Sequence, residues 1–75
     1  MGVGGEVFLV VYDMDGHIPT RFYDRLRSLF ESGLARRVQK SVLVVYSKSA
    51  IEEIVSLVEK YRGRVRVFKI AEEVV

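Results

Sequence analysis

The order of hydrophobic patterns along this chain permits few folds. Residues 6–12 form a run of β-branched and aromatic side chains whose length and composition predict a buried strand. Apolar side chains then recur at helical spacing between Pro19 and Gly33, and again between Ser49 and Gly63. Each helical stretch ends at a glycine, a residue that commonly terminates helices because it tolerates a left-handed backbone. The chain therefore alternates between strand and helix.

Three further strands complete this pattern. Residues 35–39 predict a short polar strand and residues 41–46 an apolar one, and so little room separates them that a tight hairpin or a bulged pair is expected. Ser49 followed by Glu52 predicts a capping box that opens the second helix, and residues 64–70 predict the last strand. With right-handed crossovers, this order predicts an α+β, ferredoxin-like βαββαβ fold, a four-stranded antiparallel sheet with two helices on one face.

The length and composition predict a single small domain. We expect residues 1–5, rich in glycine, to be flexible, and residues 6–75 to form the domain. The sequence contains no apolar run near the roughly 18 residues of a membrane span and no signal peptide, so a cytoplasmic protein without membrane contact is expected. Asn is absent and Gln39 is the only Gln, a composition that resembles proteins of thermophiles.

The predicted strands are apolar at successive positions, which indicates that both faces of the sheet are covered. Residues 7–12 and 42–46 do not alternate between apolar and polar side chains. The helices cover one face only. Because 75 residues without cysteine build a small core, we expect a homodimer through the second sheet face. The alternative is a monomer whose two ends fold over that face.

Asp13 ends the first strand, where a carboxylate is costly unless water or a cation compensates its charge. It is therefore either a cation ligand or a turn residue preceding Gly16. Asp15 and His17 are interpreted as solvated loop residues. A zinc site is not expected, because the chain has one His and no Cys.

Two pieces of sequence together resemble a known family. Tyr12 and Asp13 close the first strand, an arginine-bearing helix follows, and residues 37–43 then read Arg-Val-Gln-Lys-Ser-Val-Leu. This arrangement resembles CRISPR-associated protein 2, the small ferredoxin-like subunit of the spacer-acquisition machinery of antiviral defence. Leu43 and Val44 stand where the family usually has Phe-Glu. The resemblance therefore implies a divergent or shortened member.

The resemblance implies a function and a site. In the family, the aspartate matched by Asp13 faces a shared cleft from both subunits and is proposed to hold Mg²⁺ for phosphodiester cleavage. Ser41 matches a serine near that site and would be a second catalytic residue, and Gln39 matches the motif glutamine. A hard divalent cation would relieve the repulsion between two facing carboxylates, and a site of this kind must lie between subunits because one chain supplies few ligands. The implied roles are those of a metal-dependent endonuclease, an adaptor that engages the CRISPR integrase subunit, or both.

Basic side chains supply a second candidate site. Arg36, Arg37 and Lys40 are expected to cluster on the second strand, and Arg64 and Arg66 lie on the last one. The two-fold axis of the expected homodimer would double these charges. Together they would suit the phosphates of a nucleic acid. The alternative interpretation is a set of solvated arginines paired with nearby glutamates.

Two other functions are compatible with the same fold. The first is a non-enzymatic structural or regulatory dimer that binds no metal. The second is a toxin-like ribonuclease of the virulence-associated protein D type. An integrase gene and a repeat array beside this gene would favour spacer acquisition over both.

Overall fold

The computed structural model describes residues 6–70, so the predicted flexible segment 1–5 lies outside the described residues, as do residues 71–75. The elements are β1 (Val7–Asp13), α1 (Thr20–Glu31), β2 (Ala35–Gln39), β3 (Val42–Val45), α2 (Lys48–Lys60) and β4 (Arg64–Ile70). The strands form one antiparallel sheet in the order β2-β3-β1-β4. The predicted α+β ferredoxin-like fold is therefore confirmed.

Both helices pack on one face of this sheet because each carries a single apolar stripe. Within the described chain, neither helix is long and apolar enough to cross a membrane. The buried side chains of α1 and α2 join those of the strands in one core. Its members are Val10, Tyr12, Phe22, Leu26, Leu29, Ala35, Leu43, Val45, Ala50, Ile54 and Val58. Alternation along the strands places every second residue of β1 and β3 in this core and the others on the opposite face.

The ends of α1 and α2 show which capping predictions hold. Gly33 has a φ of +80° and terminates α1 as predicted, while the next N–H, that of Leu34, returns to the carbonyl of Leu29 at 3.1 Å. The capping box predicted at Ser49 is wrong. Ser47 is the N-cap of α2, since its backbone is extended and its hydroxyl accepts the N–H of Ala50 at 3.4 Å.

The end of α2 uses its glycine for a different purpose. Arg62 takes the left-handed backbone, with a φ of +63°, and the N–H of Gly63 returns to the Val58 carbonyl at 2.9 Å. A Cβ on Gly63 would lie 2.9 Å from the backbone oxygen of Asp13 and would overlap the side chain of Met14. Gly63 therefore lets the end of β1 pass close to the end of α2.

The connection between β2 and β3 is irregular, as the sequence predicted. Arg37 pairs with Leu43 and Gln39 with Val42, so the register shifts by one residue at Val38. Such a bulge bends the edge strand and leaves its extra residue unpaired. The short turn that follows places Lys40 and Ser41 beside the end of β1.

Candidate functional site

Asp13 lies at the rim of the sheet, exposed to solvent and directly opposite Arg64 of β4 in the strand register. The turn after β2 is held against this rim by Tyr12. The Tyr12 backbone N–H donates to the Ser41 carbonyl at 3.1 Å, and the Tyr12 hydroxyl donates to the Lys40 carbonyl at 3.2 Å. The end of β1, the turn after β2 and the start of β4 are distant in sequence but meet beside Asp13.

Asp13 borders two shallow concavities. The first, of about 330 Å³, has Lys40, Ser41 and Tyr23 in its lining; we call it the Asp13 groove. The second, of about 230 Å³, is lined by Arg64 and Arg66 and lies on the β4 side of Asp13. The structure thus brings Asp13, Ser41 and Lys40 together and puts Arg64 and Arg66 immediately beside them. Asp13 therefore shares the linings of two adjoining concavities with three cationic residues.

The two arginines of β4 differ in their partners. Arg64 pairs with Asp15 at 3.5 Å, and both side chains are 77% exposed, so this ion pair contributes at most about 1 kcal/mol. Asp15 is an exposed turn residue, as expected. No acidic side chain within residues 6–70 pairs with Arg66. A phosphate approaching Asp13 from the β4 side would therefore meet one weakly paired and one uncompensated guanidinium.

Arg36 and Arg37 do not form the cluster with Lys40 that the sequence suggested. They are consecutive residues of β2, so their side chains leave the strand on opposite faces. Arg36 donates to the Tyr46 hydroxyl at 3.3 Å on the face away from the helices. Arg37 lies on the helix side, with its guanidinium carbon 5.7 Å from the centre of the Phe30 ring.

Tyr12 links the core to the Asp13 groove. Its ring packs edge-on against Phe22 at 5.4 Å between centroids. Burial raises the pKa of its phenol above the usual 10.0, and the nearby charge of Arg37 opposes this rise. The phenol therefore remains protonated at neutral pH and continues to donate to the Lys40 carbonyl.

The described residues of one chain offer few donors for a magnesium ion. Among residues 6–70, no three histidine or carboxylate side chains gather into a group that would hold a metal. Within the same residues, Asp13 is the only acidic residue in the lining of either concavity, and Mg²⁺ sites usually combine one or two carboxylates with waters and substrate phosphates. One chain would therefore supply the minimum of carboxylates, and the paired site implied by the resemblance needs a second Asp13 from a partner subunit.

Sequence reasoning missed a neighbouring concavity on the helix side of β2. Tyr23, Arg27, Phe30 and Arg37 line a volume of about 310 Å³, which we call the Arg37 pocket. The first three recur four and three residues apart along α1, which was a signal available in the sequence. The arrival of Arg37 beside them required the packing of α1 against the edge strand.

The sheet face away from the helices is largely apolar, with Arg66 opposite Val11 and Arg64 opposite Asp13 towards one end. Leu9 and Val11 of β1 and Val42 of β3 alternate out of the core onto this open face, where β4 adds Phe68 and Ile70. Phe68 is 48% exposed, unusually high for a phenylalanine. Asp13 lies on the same side of β1 as Leu9 and Val11. The open face and the candidate site are therefore contiguous.

Comparison with known proteins supports the fold alone. No protein-family model and no curated protein matches this sequence. The crystal structure of a hypothetical protein, TT1823 from Thermus thermophilus, is similar, with a TM-score of 0.60 and 22% sequence identity. The alignment covers 96% of this chain and 89% of that chain. This likeness extends over almost the whole ferredoxin-like fold.

Proposed function

We propose that the protein is a cytoplasmic, nucleic-acid-binding homodimer similar to CRISPR-associated protein 2. The observation that carries the proposal is the group of cations around Asp13: Lys40 on one side, Arg64 and Arg66 on the other. Because Lys40 and the two arginines line different concavities, they suit a series of negative charges better than one small anion. Such contacts go to phosphates, so binding should depend strongly on salt and little on sequence.

The proposed dimer forms through the open face. Apolar side chains from β1, β3 and β4 lie on it, and a second copy is the simplest partner of matching shape and chemistry. Because Asp13 is on the same face, a two-fold axis near the end of β1 would bring both carboxylates to one cleft. The flanking arginines would then line a cationic path on each side of that cleft.

The enzymatic part of the proposal assigns roles around this cleft. The two Asp13 carboxylates would hold Mg²⁺, which when bound activates water and stabilises charge on a phosphodiester. The Ser41 hydroxyl would donate to a phosphate oxygen. Arg66 would neutralise phosphate charge on the nucleic-acid strand and hold that strand in position. As an adaptor in spacer acquisition, the same surface would bind DNA and bridge CRISPR integrase subunits without needing cleavage.

Binding tests the proposal most directly. The double variant Arg64→Gln/Arg66→Gln should weaken binding of a short labelled oligonucleotide by about tenfold and flatten the salt dependence, because phosphate contacts are removed. Fluorescence anisotropy at several salt concentrations measures both effects. Arg21→Gln/Lys60→Gln is the matched control, since it also removes two charges and both residues are exposed and line a different groove. Failure of the wild-type protein to bind DNA or RNA would refute the proposal.

Cleavage separates the enzyme from the adaptor. Asp13→Asn should abolish Mg²⁺-dependent cleavage and leave the dimer intact, because facing carboxylates repel one another. Asp15→Asn, two residues away, should retain activity, and gel assays across a range of Mg²⁺ and pH provide the measurement. Cleavage that persists in Asp13→Asn would place the active site elsewhere. Binding without any wild-type cleavage would select the adaptor role.

A second candidate is a non-enzymatic structural or regulatory dimer. It is favoured by the donor set, because no group of three metal-binding side chains occurs within residues 6–70. This candidate keeps the dimer of the open face and predicts that neither Mg²⁺ nor Asp13→Asn changes any property except local stability. Nucleic-acid binding distinguishes it from the first proposal.

A further inference from the structure

The Arg37 pocket lies outside both concavities that border Asp13. Tyr23, Arg27 and Phe30 line it from successive turns of α1, and Arg37 closes it from the edge strand β2. Two arginines and two aromatic residues therefore border about 310 Å³ of open space. Its position on the helix side of the sheet separates it from the open face proposed for the dimer.

Arg37 is held in this pocket without an anionic partner. Its guanidinium carbon lies 5.7 Å from the centre of the Phe30 ring, a distance typical of a cation–π contact. No acidic side chain of residues 6–70 forms an ion pair with it. The Phe30 ring orients the guanidinium and the Tyr12 hydroxyl engages one of its N–H donors, so Arg37 is held in place with its remaining donors positioned to bind an anion.

Arg27 adds a second cation that is only weakly engaged. Its contact with Asp24 is long, at 3.8 Å, and both side chains are mostly exposed. Exposed pairs of this kind contribute little, so a phosphate can replace Asp24 at small cost. Two guanidinium groups from different elements then converge on one anion, the arrangement that binds phosphate well.

Tyr23 connects this pocket to the Asp13 groove, because it lines both. A nucleic-acid strand leaving the Asp13 groove past Lys40 would thus reach Arg37 without crossing the core. Phe30 is a poor platform for a base, because the Arg37 guanidinium lies over its ring. The two arginines of the pocket therefore suit a phosphate better than a base.

We propose that the Arg37 pocket is a second phosphate subsite. It binds the phosphate backbone of a nucleic-acid strand that continues outward from the Asp13 groove along β2. This inference rests on the proposed nucleic-acid binding and extends its footprint to the helix side of the sheet. It predicts a contact common to RNA and DNA that is independent of sequence.

The test compares three variants of the full chain with wild type by anisotropy, using short and long single-stranded oligonucleotides of unrelated sequence. Arg27→Gln/Arg37→Gln should weaken binding of the long oligonucleotide by about threefold to tenfold and lower its salt slope by about 1 to 2. The shortest oligonucleotide that still binds wild type should be affected less, because it fits in the Asp13 groove alone. Arg37→Lys keeps the charge but loses the planar fork, so it should show an intermediate loss.

Arg21→Gln/Lys60→Gln, which also removes two charges but from a different groove, should stay within about twofold of wild type. An equal loss in Arg21→Gln/Lys60→Gln would overturn the subsite, as would unchanged binding by a folded Arg27→Gln/Arg37→Gln protein. In both cases, a large loss of oligonucleotide binding in Arg64→Gln/Arg66→Gln would still support the main proposal. Absence of wild-type binding to any oligonucleotide would instead refute the main proposal and the subsite with it. Circular dichroism establishes that each variant is folded.

Discussion

The two faces of the sheet carry similar side chains but are covered to different extents, although Val44 on the open face is only 6% exposed. On the helix side, Val10, Leu43 and Val45 are fully buried beneath α1 and α2. On the open face, their sequence neighbours Leu9 and Val11 are only partly buried, and Phe68 is 48% exposed. Apolar residues at successive positions of a strand therefore indicate that both faces of the sheet need to be covered. They do not indicate whether the same chain supplies that cover.

Truncation within β3 should give the largest contrast between the faces. Leu43→Ala should lower the free energy of unfolding by about 2 to 5 kcal/mol, because it removes methyl groups from the packed core and leaves a cavity. Its neighbour Val42, which points to the open face, is the matched control. Val42→Ala should cost less than about 1.5 kcal/mol in urea unfolding.

Equal losses from Leu43→Ala and Val42→Ala at high protein concentration would mean that the open face is as well packed as the core, covered either by a partner or by the ends of the chain itself. Repeating the titration after dilution separates the cases. If the effect of Val42→Ala shrinks as the protein is diluted, the open face is covered by association.

A charge on the open face should disrupt the dimer without unfolding the subunit. Phe68→Asp should raise the dimer dissociation constant at least tenfold, about 1.4 kcal/mol, since it places a carboxylate in an apolar interface. Val67→Asp is the control: Val67 is the preceding residue, points to the opposite face and is 39% exposed. Analytical ultracentrifugation measures both. A wild-type protein that remains a monomer at micromolar concentration would contradict the dimer.

At alkaline pH, the stability of the folded protein should depend on the buried phenol of Tyr12 on the helix side. Burial raises the pKa of Tyr12, so the folded protein keeps a proton that the unfolded chain loses near pH 10.0. Stability is therefore fully present below pH 10.0 and falls as the pH rises above it. Tyr12→Phe should remove part of this fall, and at neutral pH it should cost about 0.5 to 1.5 kcal/mol through loss of the bond to Lys40. Urea titrations at several pH values test both expectations.

The smallest effect is expected at the exposed start of β1. A hydrogen bond from Lys69 lowers the pKa of Glu6, with help from the charge of Lys48, whose ammonium lies 3.6 Å away. The associated stability is present above the ordinary pKa of 4.5 and is lost as the pH falls through the lowered value. An NMR titration should show the shift shrinking in Lys69→Gln and in high salt. A shift that survives both changes would need another cause.

Periodicity alone predicted the architecture. Helical spacing in two stretches and strand-like runs in four others specified the element order, because burial on one side of a helix and alternation along a strand are local properties of sequence. Gly33 marked the end of α1 for the same local reason. Ser49 failed as a cap because Ser47, two residues earlier, already accepts the Ala50 N–H.

Local sequence patterns were therefore enough to predict the fold, the apolar character of both sheet faces and the position of Asp13 at the end of a strand. Which charges share a site depends on the tertiary structure. It separated Arg36 from Arg37 on opposite faces, placed Lys40 and Ser41 beside Asp13 through the bonds of Tyr12, and brought Arg37 to Phe30. These neighbours are far apart in sequence, and their proximity depends on strand register, a bulge and helix packing, which no local pattern encodes.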